Sequence, residues 1–231
     1  MRRLVIPDIH ENIIPVCNLL LREKHDEAIF LGDWVDRFPS QPGNLYLTLD
    51  FLLSALKEPN KVFIYGNHDM PYAFPKAPVL GCSGYQWKHA EEIGMILGGK
   101  LARERFKLYY EADGYLLSHA GLSSFNAYPD WREKAGEAIP RLENGEMSYW
   151  VAAGVARGGS VPKGGLTWLD WDREFQPVEG LKQIVGHSKG YQPRRKGPNY
   201  CIDTALDHYG ILEDGLFTVY NFDGTEYQWN D

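Results

Sequence analysis

The chain has 231 residues, 44% hydrophobic and 24% charged, a composition that suits a folded soluble enzyme with one large core. A formal net charge of -7 argues against a general nucleic-acid binder, because polyanions reward a basic surface. Three widely spaced cysteines, Cys17, Cys82 and Cys201, argue against a disulfide scaffold or a thiolate metal site and fit a reducing cytoplasm.

The first predicted element is the run "LVIPDIH", which leaves its apolar stretch at Asp8 and His10. That run is too short for a signal peptide, and no later run reaches a membrane span, so a soluble cytoplasmic chain is expected, with a monomer favoured and no membrane partner. Residues 12 to 25 follow with Ile13, Val16, Leu19 and Leu20 at helical spacing, Pro15 falling in the first turn. "AIFLGDWVDR" is the second strand and closes on Asp33, Asp36 and Arg37. A second helix is predicted over 44 to 57, stopped by Pro59. "VFIYGNHD" then ends in Asn67 and His68, "YLLSHAG" in Ser118 and His119, and "QIVGHS" in His187.

Short apolar runs closed by Gly or Pro read as strands buried on both faces. Alternation with helices predicts an α/β sheet, whose ligands collect beyond the carboxyl ends of the strands. All five polar clusters lie at such ends and can converge on one crevice. Residues 123 to 182 are the least regular and are expected to form a cap or insertion within a single domain spanning 1 to 231. The tail segments "NYCIDTAL", "GILEDGLFTVYNFDG" and "EYQW" read as strands or hairpins.

Asp8, His10, Asp33, Asn67, His119 and His187 are all oxygen or nitrogen donors, a set that suits a pair of divalent cations such as Mn²⁺, Zn²⁺ or Fe²⁺. Such a centre would draw a phosphate into an acidic protein, and two ions about 3.5–4 Å apart would activate a shared water. Taken singly, each feature has a plainer reading: Asp33 as a helix cap, His119 and His187 as satisfied core residues. Trp34 can wall the site or pack in the core. "HSKGYQPRRK" can hold a second phosphate or be a solvated loop, and "TWLDW" can stack a base or form a satellite core.

The series D-x-H (Asp8, His10), G-D-x-x-D-R (Gly32 to Arg37), G-N-H-D (Gly66 to Asp69), H-A-G (His119 to Gly121) and G-H (Gly186, His187) resembles the calcineurin-like metallophosphoesterase superfamily. "GDWVDR" and the closing "IDTAL" look like the branch of serine/threonine protein phosphatases and bacterial diadenosine-tetraphosphate hydrolases. The resemblance implies a four-layer sandwich, two mixed β-sheets face to face between helices. It also implies a metal-dependent phosphatase with two divalent ions per chain, Mn²⁺ foremost, and a bridging hydroxide as nucleophile. Asp8, His10 and Asp33 would hold one ion, and Asp33, Asn67, His119 and His187 the other. His68 would be the general acid backed by Asp36, Arg37 would grip phosphate, and Asp69 would brace the turn. The substrate would be a phosphorylated small molecule, nucleotide or phosphoprotein. A dinucleoside-polyphosphate hydrolase is the alternative activity, and a non-catalytic scaffold the remote one.

Four positions depart from the family pattern: Glu11 and Phe38 where Gly is usual, Asp69 for Glu, and Ala205 for Gly. The second phosphate-binding arginine has two candidates, Arg157 and Arg173.

Overall fold

A computed structural model describes residues 1–38, 43–78 and 81–229. The first three strands are β1 (Arg2–Ile6), β2 (Glu27–Phe30) and β3 (Lys61–Ile64), and successive side chains in each enter different cores. Leu4, Ile6, Phe30 and Phe63 join the large core that holds Ile13, Val16, Leu19, Leu49 and Leu52 of the helices. Val5, Ile29, Val62 and Ile64 join a second core with Leu117, Ile184 and Ile202. A period of two with apolar side chains on both faces is what a doubly covered strand requires.

The expected helices form at α1 (Ile13–Arg22) and α2 (Leu45–Ala55), slightly shorter than their sequence patterns. The backbone of Glu23 turns extended and ends α1 while its N–H still bonds Leu19 O at 2.9 Å. At the start of α2, Asn44 Oδ1 accepts the Leu47 N–H at 3.1 Å, an N-cap worth about 1 kcal/mol. Three short helices that sequence reasoning did not assign follow β3: α3 (Met70–Ala73), α4 (Ala90–Leu97) and α5 (Lys100–Arg105).

The remaining strands are β4 (Phe106–Lys107), β5 (Tyr109–Ala112), β6 (Tyr115–Ser118), β7 (Lys182–Val185), β8 (Arg194–Lys196), β9 (Asn199–Cys201), β10 (His208–Glu213) and β11 (Leu216–Asn221). They complete two mixed sheets, ordered β11-β10-β1-β2-β3-β4 and β5-β6-β7-β9-β8. In the first, β1 to β4 run parallel, with Leu4 opposite Ala28 and Phe30 opposite Phe63. In the second, β6, β7 and β9 are parallel, flanked by antiparallel β5 and β8. The second core lies between the sheets, and helices α1, α2 and α4 contribute to the large core on the far face of the first. This is the α/β architecture of two mixed sheets with flanking helices.

Between β6 and β7 the chain forms α6 (Trp131–Gly136), α7 (Ala138–Glu143) and two single 3₁₀ turns, Tyr149–Val151 and Val155–Arg157. Trp131, Leu142, Trp150 and Leu166 extend the large core to Leu116 of β6, and Leu169, Trp171 and Phe175 pack with Val185 and Cys201. The segment therefore covers the second sheet. In the tail, "EYQW" does not form a strand: Glu226 makes one isolated bridge to Tyr220. Rings hold it instead, with Tyr227 edge-on to His208 at 5.0 Å and Trp229 against Tyr200 at 5.7 Å. Among the described residues, no helix is long and apolar enough to cross a membrane.

Candidate active site

Six parallel strands, β1, β2, β3, β6, β7 and β9, deliver polar residues just past their carboxyl ends. Several of these residues occupy left-handed backbone that non-glycine residues seldom adopt: His10 (φ 45°), Asp33 (52°), Asp36 (64°) and His187 (62°). Each such residue costs on the order of 1–3 kcal/mol, and outliers of this kind cluster at functional sites. Two glycines make room for carboxylates. A Cβ on Gly66 would fall onto Asp33 Oδ1, and one on Gly186 onto Asp8 Oδ1.

The donor atoms meet around Asp33. Its Oδ2 lies 3.6 Å from His10 Nε2 and 3.4 Å from His119 Nε2. His119 Nε2 is also 2.8 Å from Asn67 Oδ1. Two groups of three donors share that carboxylate, His10–Asp33–His68 and Asp33–His119–His187, with the ligand atoms of each within 4.8 Å of one another. Asp8 is buried beside them but belongs to neither group; its carboxylate accepts the His187 N–H at 3.0 and 3.1 Å.

Behind the donors stands a layer that fixes their orientation. His10 Nδ1 lies 3.1 Å from Val35 O and His119 Nδ1 2.8 Å from Leu31 O. An Nδ1–H donated to a carbonyl leaves the Nε2 lone pair free for a ligand. Asp69, fully buried, accepts three backbone N–H groups: Asp33 at 3.0 Å, Trp34 at 2.9 Å and Gly66 at 2.8 Å. It ties the second and third loops together, the bracing role expected of it. His68 differs from the other rings because its Nδ1 faces a carboxylate, Asp36 Oδ2, at 3.0 Å.

Charge follows these contacts. Burial works against an ionised Asp33, but His119, His68 and His10 hold it well below the usual carboxylate range. Burial opposes the imidazolium of His68, yet Asp33 and the Asp36 hydrogen bond raise its pKa. His119 is likewise pushed up to about 10, against burial, chiefly by Asp33 and Asp8. His187 goes the other way: burial, then His119 and Arg157, hold it well below the ordinary imidazole value, so it is neutral. Asp8 and Asp203 are both raised, mainly by burial, and Asp203 adds to the shift of Asp8. A divalent ion fits this set. Buried carboxylates would regain a counter-charge, and His187 Nε2, buried with no hydrogen-bond partner among the described residues, would gain an ion to hold.

Over these groups opens a cleft of about 240 Å³, lined by His10, Asp33, Asn67, His68 and His187, with Phe38, Cys82, Ser83, Arg157, Trp168, Lys189 and Asp203 around them. The family model of calcineurin-like phosphoesterases matches residues 1–198. The chain belongs to that family. It is a metal-dependent phosphoesterase, a hydrolase, with His and Asp groups able to hold metal ions.

The phosphoesterase has the fold of several solved structures. It matches a cold-active protein-tyrosine phosphatase of a psychrophilic Shewanella species with a TM-score of 0.68 and 16% identity, over 98% of this chain and 79% of that one. A protein serine/threonine phosphatase of Saccharomyces cerevisiae gives 0.58 and 16%, over 100% and 82%. A protein described as a candidate diadenosine tetraphosphatase gives 0.53 and 12%, over 95% and 93%. At these identities the likeness is one of fold. No curated protein sequence matches the chain.

Several sequence alternatives resolve on this geometry. Trp34 is fully buried against Phe30 at 4.9 Å and Phe51 at 6.3 Å, so it packs in the core and does not wall the cleft. Of the basic run after His187, Lys189 lines the cleft; Arg194 pairs with Asp172 at 2.7 Å, Arg195 lies over Trp229, and Lys196 donates to Trp171 O at 2.6 Å. "TWLDW" divides: Trp168 lines the cleft edge-on to His187, while Trp171 is buried on Phe175. Arg157 reaches the cleft, held by Asp170 at 2.9 Å and Ser188 Oγ at 2.9 Å, whereas Arg173 is exposed and does not line it. Arg37 does not line it either; half exposed, it lies 3.9 Å from Glu11.

Two family departures sit in left-handed backbone, Glu11 at φ 64° and Ala205 at 58°, which explains the usual preference for Gly there. Sequence reasoning assigned no role to Asp203, Cys82, Tyr72 or Gln86. Asp203 had a readable signal, since it follows the apolar end of β9 as Asp8 follows β1. Tyr72 sits in the single-turn α3, and Cys82 and Gln86 come from an irregular segment with no periodic cue.

Proposed function

We propose that this phosphoesterase is a phosphomonoester phosphatase that works with two divalent ions, Mn²⁺ foremost, in one domain whose residues 123 to 182 form a cap beside the cleft. The observation that carries this reading is the position of Asp33, whose single Oδ2 faces a histidine from each donor group. His10 and Asp33, with Asp8 close by, would hold one ion; Asp33, Asn67, His119 and His187 would hold the other. When bound, the ions supply positive charge for the phosphoryl oxygens and an activated water for attack on phosphorus.

The chain supplies the rest. Arg157 and Lys189 present cations to the phosphoryl group from the cap side and the last loop. Arg37, which stands outside the cleft lining with its Nε 3.9 Å from Glu11, would turn in from the loop after β2 to join them. Attack of water on phosphorus breaks the bond to the leaving oxygen, which needs a proton. His68, with Nδ1 held by Asp36 and a raised pKa, donates from Nε2 to that oxygen. Phe38, beside His10 and His68, and Trp168, beside His187, line the cleft with aromatic surface.

A cleft of about 240 Å³ lies below the ~300 Å³ at which ligand pockets usually begin, and suits a phosphoryl group with a small leaving group better than an entire dinucleoside polyphosphate. This favours a small phosphorylated substrate over a dinucleotide. The test is a phosphate-release panel with Mn²⁺: p-nitrophenyl phosphate, mononucleotides, phosphopeptides and diadenosine tetraphosphate, each repeated after chelation. Monoesters should give the higher kcat/KM, and chelation should abolish turnover. Preferred cleavage of the dinucleotide would replace this reading with the hydrolase one, and no turnover of any substrate would favour a scaffold.

A further inference from the structure

Residues 82 to 86, "CSGYQ", form an irregular strap between α3 and α4 that touches the active site at several points. Cys82 Sγ accepts from Asn67 Nδ2 at 3.3 Å and donates to Asn67 O at 3.2 Å. Tyr85 stacks on Tyr72 with ring centroids 4.6 Å apart. Gln86 makes two contacts of different kinds. Its backbone N–H donates to Tyr72 Oη at 2.6 Å, and its side-chain Nε2 donates to Glu11 Oε1 at 2.5 Å.

Each contact leads to a reacting group. The Tyr72 hydroxyl donates in turn to Asp36 Oδ1 at 2.5 Å, and Asp36 Oδ2 holds His68 Nδ1 at 3.0 Å. Glu11, buried, accepts the Arg37 N–H at 3.3 Å with the same Oε1 that Gln86 bonds. One hydrogen-bonded line therefore runs from His68 through Asp36, Tyr72, Gln86 and Glu11 to the Arg37 loop. Every member but the two ends is fixed by partners on both sides, which restricts rotation of the Asp36 carboxylate and of the Glu11 side chain.

We infer that Tyr72 and Gln86 are positioning residues. Tyr72 sets the Asp36 carboxylate at the angle that aims His68 at the leaving oxygen. Gln86 sets Glu11 and, through the Arg37 backbone N–H, the loop that carries the Arg37 guanidinium. This rests on the reading of His68 as general acid and Arg37 as phosphate arm. A carboxylate accepting two hydrogen bonds has one orientation; with Tyr72→Phe it keeps only His68 and can turn. Gln86→Ala keeps the backbone N–H on Tyr72 while removing the contact to Glu11. The two variants should therefore fail differently.

The experiment measures kcat and KM for an alkyl phosphate and for dinitrophenyl phosphate, along with inhibition by inorganic phosphate, in the Mn²⁺-loaded enzyme. Tyr72→Phe should lower kcat on the alkyl ester roughly tenfold, the worth of one hydrogen bond to a charged group, and change the activated ester by less than about threefold. Phosphate inhibition should hold. Gln86→Ala should instead weaken phosphate inhibition and raise KM several-fold, with equal small effects on kcat for both esters. His68→Asn is run in parallel: if it shows no leaving-group bias, the general-acid reading fails, and the positioning role with it. If His68→Asn shows the bias and Tyr72→Phe does not, the positioning role alone is overturned. The same uniform loss in both variants would mean that the strap only supports the fold, and would also overturn the inference.

Discussion

His68 and His187, on the two sides of Asp33, use the same side chain in opposite electrical settings. Behind His68 stands a carboxylate, Asp36, itself held by Tyr72, and the ring's pKa is raised against the cost of burial. His187 has no hydrogen-bond partner on Nε2 among the described residues, and burial, His119 and Arg157 keep it neutral. His10 and His119 are backed by the backbone carbonyls of Val35 and Leu31. A ring backed by a carboxylate is set up to carry a proton; a neutral ring with a bare nitrogen is set up to hold an ion. In the proposed reading, the partner behind the ring separates His68 as acid from the carbonyl-backed His10 and His119 as ligands, the rise of His119 coming from Asp33 and Asp8 at the ion site itself.

The contrast breaks most completely at the residue both sides share. Asp33→Asn should lower turnover by more than about 10²-fold, beyond the loss typical of removing an outer partner of a metal ligand, with metal content falling too. On the His68 side, His68→Asn should slow an alkyl phosphate by about 10²–10⁴ and dinitrophenyl phosphate far less, with metal content intact. The sign follows from the leaving group, since only a basic oxygen needs the donated proton. Equal losses on both esters would make His68 an orienting residue and erase the difference between the two sides.

A smaller effect sharpens the His187 side. Arg157→Ala should raise KM roughly tenfold, because it removes a charge-assisted contact from the cleft, whereas Arg173→Ala should stay within about twofold. Smallest of all, Arg37→Lys should weaken phosphate inhibition several-fold and leave metal content unchanged, since an ammonium cannot reproduce a two-point grip. Steady-state kinetics with phosphate as inhibitor read both.

What could be read from the sequence follows the same division. The donors were legible because each comes directly after a short apolar strand, and parallel strands bring their carboxyl ends together. The two-face burial of β1 to β3 was legible for a similar reason, as their apolar residues run without alternation. Trp34 was not: whether a loop ring turns in or out depends on Asp69 holding the backbone of Trp34, a contact between distant loops. Gln86 and Cys82 were hidden because the strap reaches the site through an irregular path, and Tyr72 because the single turn of α3 is too short to show a period. Arg157 was ambiguous with Arg173 because the segment that delivers it has no period to fix its direction.

The claim that Asp33 joins two ion sites is tested most directly by elemental analysis of the fully active protein, metal per chain measured alongside turnover as Mn²⁺ is titrated back after chelation. Activity should be complete only at two ions per chain, and the Asp33→Asn protein should not reach that stoichiometry. Full activity at one ion per chain, or two tightly held ions in Asp33→Asn, would contradict the account.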